Sequence, residues 1–569
     1  MNVLDYVVLL ATILGIAGYG AWHTRHRGDM AAYWKGVGKM RWTVIGVSVM
    51  ATQASAITFL STPGQGYDGG LGFVQNYFGL PLALIIVAAI FLPLYRRLNV
   101  YTAYEFLGKR FDGRARLLGA ALFLLQRGLQ AGITIYAPAI VLTTVMGWPL
   151  DLTIVCLGIV VIVYTVSGGS DAVSVTQKYQ VGVIFVGMLA ATVVLILRLP
   201  DALSMGDALR VAGGFDKLEA VDFRFDLSER YNVWSGIIGG VFLSLSYFGT
   251  DQSQVQRYLT GPSLRESRLG LMFNALLKIP MQFAILLLGV MLFVFYQFEP
   301  APVYFNATAW EQAKLDGASG ELAAFESAYA TAHDEKANSN RAWLDAERAG
   351  DAATAEAARS SALAAHERSQ AIRADAVAAL QQTNARAKVE DYDYVFITFV
   401  LGYLPHGLIG LLMAAFLAAA LSSLSAELSA LGETTNVDFY RFVVRRDAPE
   451  RHYVTSSRRL IVFWGVVAIG FALFANQQEN LIEAINIVGS LFYGVVLGMF
   501  CIAFFVRHVG GRAVFWGAVA SQSLIFVLFF SGVFDFSYLY YNMIGCVGCV
   551  ALSVALQFAI NRTQKRSEA

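Results

Sequence analysis

Long apolar stretches dominate this chain of 569 residues, and short polar segments separate them. A helix needs about 20 residues to cross a bilayer, and thirteen stretches are at or near that length. The pattern therefore predicts an all-α polytopic membrane protein with about thirteen transmembrane helices. The stretches are 3–22, 41–67, 71–95, 117–145, 150–167, 179–198, 233–250, 268–297, 393–428, 458–476, 480–505, 511–533 and 538–560.

The composition favours a lipid bilayer as the natural surroundings of this chain. Hydrophobic residues make up 56% of the chain and charged residues 15%, and the mean hydropathy is +0.54. Such values are typical of polytopic membrane proteins. The net charge is only +1 and the basic residues follow the spans, so we expect no nucleic-acid partner.

Lysine and arginine predict the orientation, because they are retained preferentially on the cytoplasmic side of a membrane. If the spans alternate, the N-terminus lies outside and the C-terminus lies in the cytoplasm. We expect a multi-pass protein of the plasma membrane, and the style of the sequence favours the inner membrane of a bacterium. The basic loops are 25–41, 96–116, 257–268, 441–459, 507–512 and 562–566.

One segment, 302–391, differs from the rest because it is polar and rich in Ala, Glu, Lys and Arg. These residues are strong helix formers and Gly350-Asp351 is a turn signal, so the pattern predicts a soluble helical hairpin. The predicted topology places this insertion outside the cell. Its weak apolar stripe favours an inert addition over a lid or a docking arm for a partner.

Cysteine and histidine usage indicates neither a disulfide framework nor a transition-metal site. The four cysteines all lie in predicted spans, and the seven histidines are scattered without ligand spacing. No pairing of a nucleophile with a base is recognisable either. We therefore expect a protein that is not an enzyme.

Two polar interruptions lie inside predicted spans. Ser422 and Ser423 are adjacent within 393–428, and the segment 51–58 leads into Thr62–Gly66, where a proline and two glycines predict a helix break. Serines in a span can also bond to their own backbone at a tight helix contact. Two interruptions in one chain nevertheless suggest a shared pocket for a polar solute.

A second helix break is predicted at Ser244–Asp251, five spans after the first. Interrupted helices at matching places in two five-span halves indicate an inverted-repeat transporter with its site near the membrane midplane. The chain then consists of an additional first span with its loop, a first repeat, an external loop, a second repeat, and two final spans with a short cytoplasmic tail. The respective ranges are 1–40, 41–198, 199–232, 233–505 (interrupted by 302–391) and 506–569.

Several motifs resemble the sodium/solute symporter family, which includes the sodium/glucose, sodium/monocarboxylate and bacterial sialic acid carriers. They follow the order of the family up to about residue 510, and only the insertion 302–391 lies outside the pattern. The resemblance implies an inverted five-plus-five helix bundle similar to the leucine transporter. The motifs are Ala51–Phe59, Gly64–Tyr67, Tyr101–Phe111, Gly168-Gly169 with Ala172, Val173 and Thr176, Asp251–Arg257, Ala418–Ser423 and Asp438–Tyr440.

The resemblance also implies sodium (Na+) as the coupled ion. Its expected ligands are neutral oxygens, which suit a hard cation. By match to the family they are the carbonyls of Ala51, Ala54 and Ala419 and the hydroxyls of Ser422 and Ser423.

One position departs from the family, because Gln177 and Lys178 follow Thr176 where relatives usually have an aspartate. In some relatives that carboxylate helps to hold a further sodium ion or lines the inward exit of the ion. We therefore expect one sodium ion in each transport cycle.

The solute pocket follows from the same match. Its hydroxyl and amide groups suit a sugar or polyol, although Tyr77 replaces the carboxylate or amide that sugar carriers use there. Two cations within spans, Arg127 and Lys278, would suit a sugar acid or a monocarboxylate; alternatively they serve the structure, for example by pairing with Glu427. The predicted residues are Gln53, Ser55, Thr58, Phe73, Tyr77, Arg127, Gln130, Ser244, Tyr247 and Lys278.

These observations predict a sodium-coupled symporter that imports a small polar organic solute by alternating access. A proton-coupled symporter of the same fold is one alternative, favoured by the missing aspartate. It is disfavoured because the sequence places no histidine and no isolated mid-span acid in the pocket. A transporter-like receptor or sensor is the other alternative.

Overall fold

The computed structural model describes residues 1–24, 41–98, 100, 102–200, 203–259, 261–384, 387–474, 480–533 and 536–568. The predicted loop 25–40 lies outside the described residues, as do the side chains of 16–24, 167–176, 178 and 565–568. In the described ranges the chain forms helices and no strand. The helices are α1 (Val3–Thr24), α2 (Trp42–Gln53), α3 (Ala56–Gly69), α4 (Gly72–Leu98), α5 (Ala103–Arg110), α6 (Gly113–Met146), α7 (Leu150–Leu197), α8 (Met205–Gly214), α9 (Ser235–Thr250), α10 (Gln252–Leu259), α11 (Leu264–Phe298), α12 (Ala307–Ala313), α13 (Ser319–Ala349), α14 (Ala352–Thr383), α15 (Val395–Tyr403), α16 (Leu408–Val444), α17 (Glu450–Phe474), α18 (Leu481–Phe505), α19 (Gly511–Ser531) and α20 (Tyr538–Glu568).

The membrane spans agree with the apolar pattern of the sequence. Within the described part of the chain, nine helices are long and apolar enough to cross a bilayer, and the bent pair α2–α3 makes a tenth. Shorter apolar helices at Val3–Gly15, Leu150–Val166 and Ser235–Thr250 coincide with the remaining predicted spans. The predicted all-α polytopic membrane fold is confirmed.

The predicted spans 150–167 and 179–198 both belong to α7. Leu150 lines a cavity together with residues of the insertion, and Gly187 packs against Leu412 near the start of α16.

The first helix break lies at Ala54-Ser55, and the prediction that placed it at Thr62–Gly66 is wrong. The axes of α2 and α3 differ by 59°. The backbone leaves the helical region at Ala54 (ψ 70°) and Ser55 (ψ −180°). Pro63 lies inside α3, so the polar segment 51–58 carries the break itself.

Gly64 and Gly66 serve close helix contacts instead of ending the helix. A Cβ atom on Gly64 would overlap the carbonyl of Tyr392, and one on Gly66 would overlap the carbonyl of Leu286 in α11. Pro63 removes one hydrogen bond from the helix. Because small residues let membrane helices approach closely, the packing gained at the two glycines holds α3 in place.

The second break lies at Asp251, the last residue of the predicted segment Ser244–Asp251. Between α9 and α10 the Asp251 backbone is extended (φ −80°, ψ 120°). Its Oδ1 atom accepts the Ser253 amide at 2.9 Å and the Ser253 hydroxyl at 2.6 Å, and thereby caps α10. The breaks in α2–α3 and α9–α10 stand five predicted spans apart, which fits an inverted repeat.

The predicted hairpin of the insertion is present as α13 and α14. The helix α13 ends at Ala349, and Gly350 adopts the left-handed conformation (φ 75°) that glycine tolerates. Asp351 then caps α14 by accepting the amides of Ala353 and Thr354. The turn at Gly350-Asp351 is therefore confirmed.

The hairpin packs on one end of the bundle, which we call the insertion end. The Lys336 ammonium donates to the Tyr296 carbonyl at the end of α11 at 3.1 Å, and burial lowers the pKa of Lys336 to about 7. Arg348 pairs with Asp207 of α8 at 2.8 Å and, through that hydrogen bond, lowers the pKa of Asp207 to about 2. Within the described residues, α13 thus contacts both α8 and α11.

Substitution of Gly66 tests the packing of α3. We expect Gly66→Ala to destabilise the protein by about 1–3 kcal/mol, because the added methyl group overlaps the Leu286 carbonyl. Thermal unfolding of the purified protein in detergent measures the effect. Gly15→Ala in α1 is the control, since nothing lies within 4 Å of its Cβ position. Equal melting temperatures of the two variants would contradict the packing argument.

Candidate functional site

A central cavity of about 90 Å³ lies where the two helix breaks meet. A buried water needs about 10–15 Å³, so this space accommodates a small polar molecule. Residues of α2, α3, α4, α6, α9, α16 and α18 form its wall. They are Thr52, Gln53, Ser55, Ile57, Thr58, Asn76, Tyr77, Arg127, Gln130, Thr134, Leu243, Ser244, Tyr247, Glu427, Ile482, Ile485, Asn486 and Tyr493.

Eight of the ten predicted solute residues belong to this wall. They are Gln53, Ser55, Thr58, Tyr77, Arg127, Gln130, Ser244 and Tyr247. Phe73 and Lys278 do not line the cavity. Phe73 packs edge-on against Tyr77 with ring centroids 5.9 Å apart, and the fully buried Lys278 ammonium lies 5.1 Å from the centroid of the Tyr77 ring. Tyr77 therefore separates both side chains from the cavity.

Arg127 of α6 forms a buried ion pair with Asp251 at the second helix break. Its side chain is 4% exposed and that of Asp251 is fully buried. The Tyr493 hydroxyl of α18 joins the pair, because it donates to Asp251 Oδ2 at 3.1 Å and accepts from Arg127 Nη2 at 3.0 Å. This network ties α6 and α18 to the break between α9 and α10.

Glu427 of α16 approaches the same guanidinium less closely. Its Oε1 atom lies 3.3 Å from Arg127 Nη1 and 3.4 Å from the Thr134 hydroxyl. Its Oε2 atom is buried and has no hydrogen-bond partner among the described residues. Glu427 is therefore an acid in the cavity wall that is not isolated, because it contacts Arg127 as the structural alternative for this arginine expected.

The candidate sodium ligands lie on two elements in contact. The helix α16 packs against both α2 and α3, and Ala51, Ala54, Ala419, Ser422 and Ser423 are all buried. A helix leaves the carbonyls of its last turn without helical partners, and α2 ends at Gln53 in the middle of the bundle. Of these carbonyls, that of Met50 accepts the Ala54 amide at 2.6 Å.

The two serines of α16 differ in their bonding. The Ser423 hydroxyl donates to the carbonyls of Ala419 at 3.1 Å and Ala420 at 3.2 Å, which is the self-bonded geometry expected as an alternative. The Ser422 hydroxyl is buried and has no partner among the described residues. Both oxygens retain lone pairs that can still coordinate a cation.

Gln177 lies beside the same part of α2. Its Oε1 atom accepts the Ser48 hydroxyl at 2.6 Å, and its amide lies 3.4 Å from the Thr52 hydroxyl, which lines the central cavity. The residue is fully buried. A neutral amide thus stands where the family usually carries a carboxylate, while the side chains of Thr176 and Lys178 lie outside the described residues.

A polar bridge joins α3 to α18 on the insertion side of the central cavity. Ser61, one turn after the cavity residue Thr58, hydrogen-bonds Asp393 and lies 2.6 Å from Asn480 Oδ1. Asp393 follows the insertion and pairs with Lys388 at 2.8 Å. Burial opposes the charge of Lys388, but Asp393 more than offsets it, so the pKa of Lys388 lies above its ordinary value.

A second cavity of about 510 Å³ lies beyond this bridge, at the insertion end. It is lined by Gly64 and Gln65 of α3 and by Asn480 at the start of α18. Seven carboxylates and two arginines belong to its wall, and we call it the acidic cavity. They are Asp68, Asp216, Glu219, Asp222, Glu229, Glu390 and Glu483, with Arg224 and Arg230.

The sequence analysis did not assign Asp251, Asn76, Tyr493, Ser61 or Asp393 to the site. Asp251 carried a usable signal, because it ended a predicted helix break and began a family motif. Tyr493 lies in an apolar span where a tyrosine is unremarkable, and Ser61 contacts Asp393 across 332 residues of chain. Pairings of that kind become visible only when the helices are packed.

In the described ranges, up to ten spans by length and composition surround a polar cavity that lies between two broken helices. The model of the sodium:solute symporter family matches residues 33–317 and 368–520. The chain therefore belongs to the sodium:solute symporter family. The gap in this match falls within the insertion 302–391.

Two curated proteins illustrate the range of its relatives. The human sodium/iodide cotransporter is 30% identical over 297 residues, which are 51% of this chain and 45% of that protein. The chain thus spans less than half the length of that relative. A sodium/sialic acid symporter of Aliivibrio fischeri is 24% identical over 547 residues, which are 95% of this chain and 90% of that protein.

A solved structure extends the comparison to the fold. A Na+-coupled sialic acid symporter, solved in a substrate-bound outward-open state, superposes with a TM-score of 0.73 and 21% identity. The match covers 98% of each chain. At this identity the likeness concerns the fold alone, and that fold is the leucine-transporter-like bundle which the resemblance implied.

The Arg127–Asp251 pair makes a testable contribution to stability. We expect Arg127→Gln and Asp251→Asn each to cost about 3–5 kcal/mol, because each leaves its partner buried and unpaired. The double variant should cost less than the sum of the two. Denaturation of the purified variants in a double-mutant cycle measures this coupling.

The exposed pair Arg224–Asp222, with nitrogen and oxygen 2.9 Å apart and Arg224 79% exposed, is the matched control. Arg224→Gln should change the stability far less than either buried substitution, because water screens an exposed ion pair. Strictly additive effects of the two buried substitutions would refute the coupling.

Proposed function

We propose that the protein is a sodium-coupled symporter that imports a small polar organic solute by alternating access. The observation that carries the proposal is the break at Ala54-Ser55, where α2 ends inside a membrane bundle and contacts α16, the helix that carries Ser422 and Ser423. Such a break frees carbonyl oxygens for an ion without burying another charge. On this proposal the protein is a transporter and not an enzyme.

The proposed sodium ligands are the carbonyls of Ala51, Ala54 and Ala419 and the hydroxyls of Ser422 and Ser423. The ion would join the end of α2 to α16 and so organise the broken helix. Because the wall of the central cavity includes Thr52, Gln53 and Ser55 from the same break, the ion and the solute would stabilise one arrangement of the chain. Each ligand then raises the affinity for the other.

The insertion end is proposed to face the outside of the cell, with the C-terminus in the cytoplasm of a bacterium. In this orientation the acidic cavity is the entrance and the Ser61–Asp393 bridge closes the path to the central cavity. The insertion lies beside this path, since Asp393 directly follows it. A partner that docks on the hairpin remains part of the proposal, and uptake by a chain without 302–391 tests whether transport needs it.

The solute is proposed to be small, in keeping with the volume of the central cavity. Hydroxyl and amide groups on its wall suit a sugar or a polyol, and the two relatives described above are named for iodide and sialic acid. The predicted range of sugars, polyols, sugar acids and monocarboxylates is therefore the starting set for binding assays.

Proton coupling is a second candidate, because Glu427 places an ionisable group in the cavity wall. A carboxylate that loses and gains a proton during the cycle could replace the ion. Solute binding measured in sodium and in potassium, at two pH values, separates the two functions. Sodium coupling requires a difference between the salts at fixed pH.

Ser423→Ala tests the proposed sodium site. The variant removes one ligand oxygen, so we expect sodium to bind about tenfold more weakly or worse. Solute affinity should fall with it, because the coupling between the two ligands is reciprocal. Sodium-dependent thermal stabilisation and isothermal titration with the solute measure the two effects.

Ser523→Ala is the matched control for this experiment. The Ser523 hydroxyl donates to the Val519 carbonyl at 3.0 Å in α19, so the variant loses the same kind of backbone bond in a different helix. It should leave both affinities unchanged. If Ser423→Ala behaves like this control, the proposed ligand role of Ser423 is refuted.

Gln177→Asp tests the proposed stoichiometry. We expect the natural protein to respond to sodium with a Hill coefficient of about 1, because a neutral amide cannot compensate a second cation. A carboxylate beside Ser48 and Thr52 would supply that charge, so the sodium response of the variant should become steeper. Sodium titration of solute binding provides the coefficient. A steep response of the unmodified chain would contradict the single-ion proposal.

A further inference from the structure

Around the central cavity the carboxylates outnumber the arginine that they contact, and this inequality bears on the charge of the solute. Among the described residues that line the cavity, Arg127 is the only cationic side chain. It is in contact with two carboxylates, those of Asp251 and Glu427. One guanidinium cannot balance two carboxylates, and an unbalanced charge is costly in a low-dielectric interior.

The two carboxylates are not equivalent. Both carboxylate oxygens of Asp251 accept two hydrogen bonds. Oδ2 accepts from Arg127 and from the Tyr493 hydroxyl, and Oδ1 accepts from the amide and the hydroxyl of Ser253. Glu427 is 6% exposed, touches Arg127 and Thr134 only at 3.3 and 3.4 Å, and keeps Oε2 without a partner among the described residues. When both carboxylates are ionised, the negative charge that Arg127 does not balance lies on Glu427, in the wall of the cavity.

The wall holds further unpaired polar atoms of both kinds. Arg127 Nε and Asn486 Nδ2 are donors without a partner among the described residues. Gln53 Oε1 and Asn76 Oδ1 are buried and have no partner among the described residues. The Tyr247 and Tyr493 rings belong to the same wall, and Arg127 already lies over the Tyr247 ring with 5.5 Å to its centroid. Acceptor oxygens and aromatic faces together suit a cation that carries hydrogen-bond donors.

Lys278 does not reverse this balance at the cavity surface. Its ammonium is a fully buried cation without a hydrogen-bond partner among the described residues; it lies 5.1 Å from the centroid of the Tyr77 ring and does not line the cavity. The acidic cavity at the insertion end has a negative net charge, like the carboxylate of Glu427, because its wall carries seven carboxylates and two arginines. Fields of this sign attract cations and repel anions.

We infer that the solute carries a positively charged nitrogen, which Glu427 binds through its unpartnered carboxylate oxygen. This inference rests on the proposed transport function and narrows its solute class. It also sets the chain apart from the iodide and sialic acid named for its relatives, since both of these are anions. Arg127 is a positioning residue for Glu427 and Asp251 and not a receptor for a carboxylate.

The test is a thermal-shift screen of the full-length protein against matched trios of small molecules, each run in sodium and in potassium at one pH. Each trio shares a skeleton of roughly three to six carbons, which suits the cavity, and ends in an amine, an alcohol or an acid. One such trio is 3-aminopropan-1-ol, propane-1,3-diol and 3-hydroxypropanoate. We expect stabilisation by amines, with or without further polar groups, and none by the matching acids.

The amine hits are then titrated against Glu427→Gln, which we expect to bind them about tenfold or more weakly. Glu427→Asp keeps the negative charge on a shorter side chain, so it should weaken amine binding less than Glu427→Gln does. Glu427→Asp is used in place of Glu427→Gln if the latter does not fold. Asp447→Asn removes an exposed carboxylate after α16 and should leave the affinities unchanged.

The outcomes separate this inference from the proposed function. Hits confined to alcohols or acids, no amine hit at all, or equal amine affinity in Glu427→Gln and the unmodified chain would each overturn the inference. If such acid or alcohol hits need sodium, the proposed sodium coupling is supported although the inferred positive charge of the solute is refuted. Amine hits that are lost in Glu427→Gln but are indifferent to sodium support the inference and overturn the coupling. A loss of sodium affinity in Glu427→Gln without solute would assign Glu427 to the ion and also overturn the inference.

Discussion

The buried end of α2 is the feature on which the rest of the site depends. In the hydrocarbon region no water can satisfy a free carbonyl, and each unsatisfied group costs several kcal/mol. Because α2 ends at Gln53 inside the bundle, its last carbonyls need partners from outside their own helix. The contacting helix α16 does not meet this need by itself, because Ser423 bonds within its own helix and Ser422 has no partner among the described residues. The proposed sodium ion would meet it, and this proposal would account for a serine pair in an otherwise apolar span.

Buried charged side chains form another part of the site around the same cavity. Asp251 interrupts α9–α10 and at the same time receives Arg127, so one carboxylate both caps a helix and compensates a buried cation. Glu427 shares the helix α16 with the serine pair, one turn further along. A single helix would thus carry groups for the proposed sodium ion and for the inferred cationic solute. Movement of α16 relative to the two broken helices would affect both ligands together, which is what coupling requires.

Much of this architecture could be predicted from the chain, because its signals are local. Apolar length predicted the spans, Gly350-Asp351 predicted the hairpin turn, and the polar segment 51–58 contains the first break. The placement of that break at Thr62–Gly66 failed because proline and glycine have two uses in a membrane helix. They interrupt a helix, or they allow another backbone to approach it, and only the neighbours Tyr392 and Leu286 decide between the two.

The site itself was less accessible to prediction. Eight of the ten solute residues that were predicted by match to the family line the cavity. Phe73 and Lys278 do not line it; both contact Tyr77, which does. A pairing of Arg127 with Glu427 was one of the alternatives from the sequence, and the structure adds Asp251 as the closer partner. Arg127 and Asp251 are 124 residues apart, with the helices α7, α8 and α9 between them, so no local pattern could indicate their contact.

The central claim is that an inward sodium gradient drives solute uptake. It is tested most directly by the protein in liposomes, with a solute identified by the binding screen and with sodium or potassium outside at equal pH and membrane potential. The account predicts accumulation of the solute above its external concentration only with sodium outside, and none when sodium is equal on both sides. Equal accumulation in potassium, or accumulation that follows an imposed pH gradient without sodium, would contradict the account.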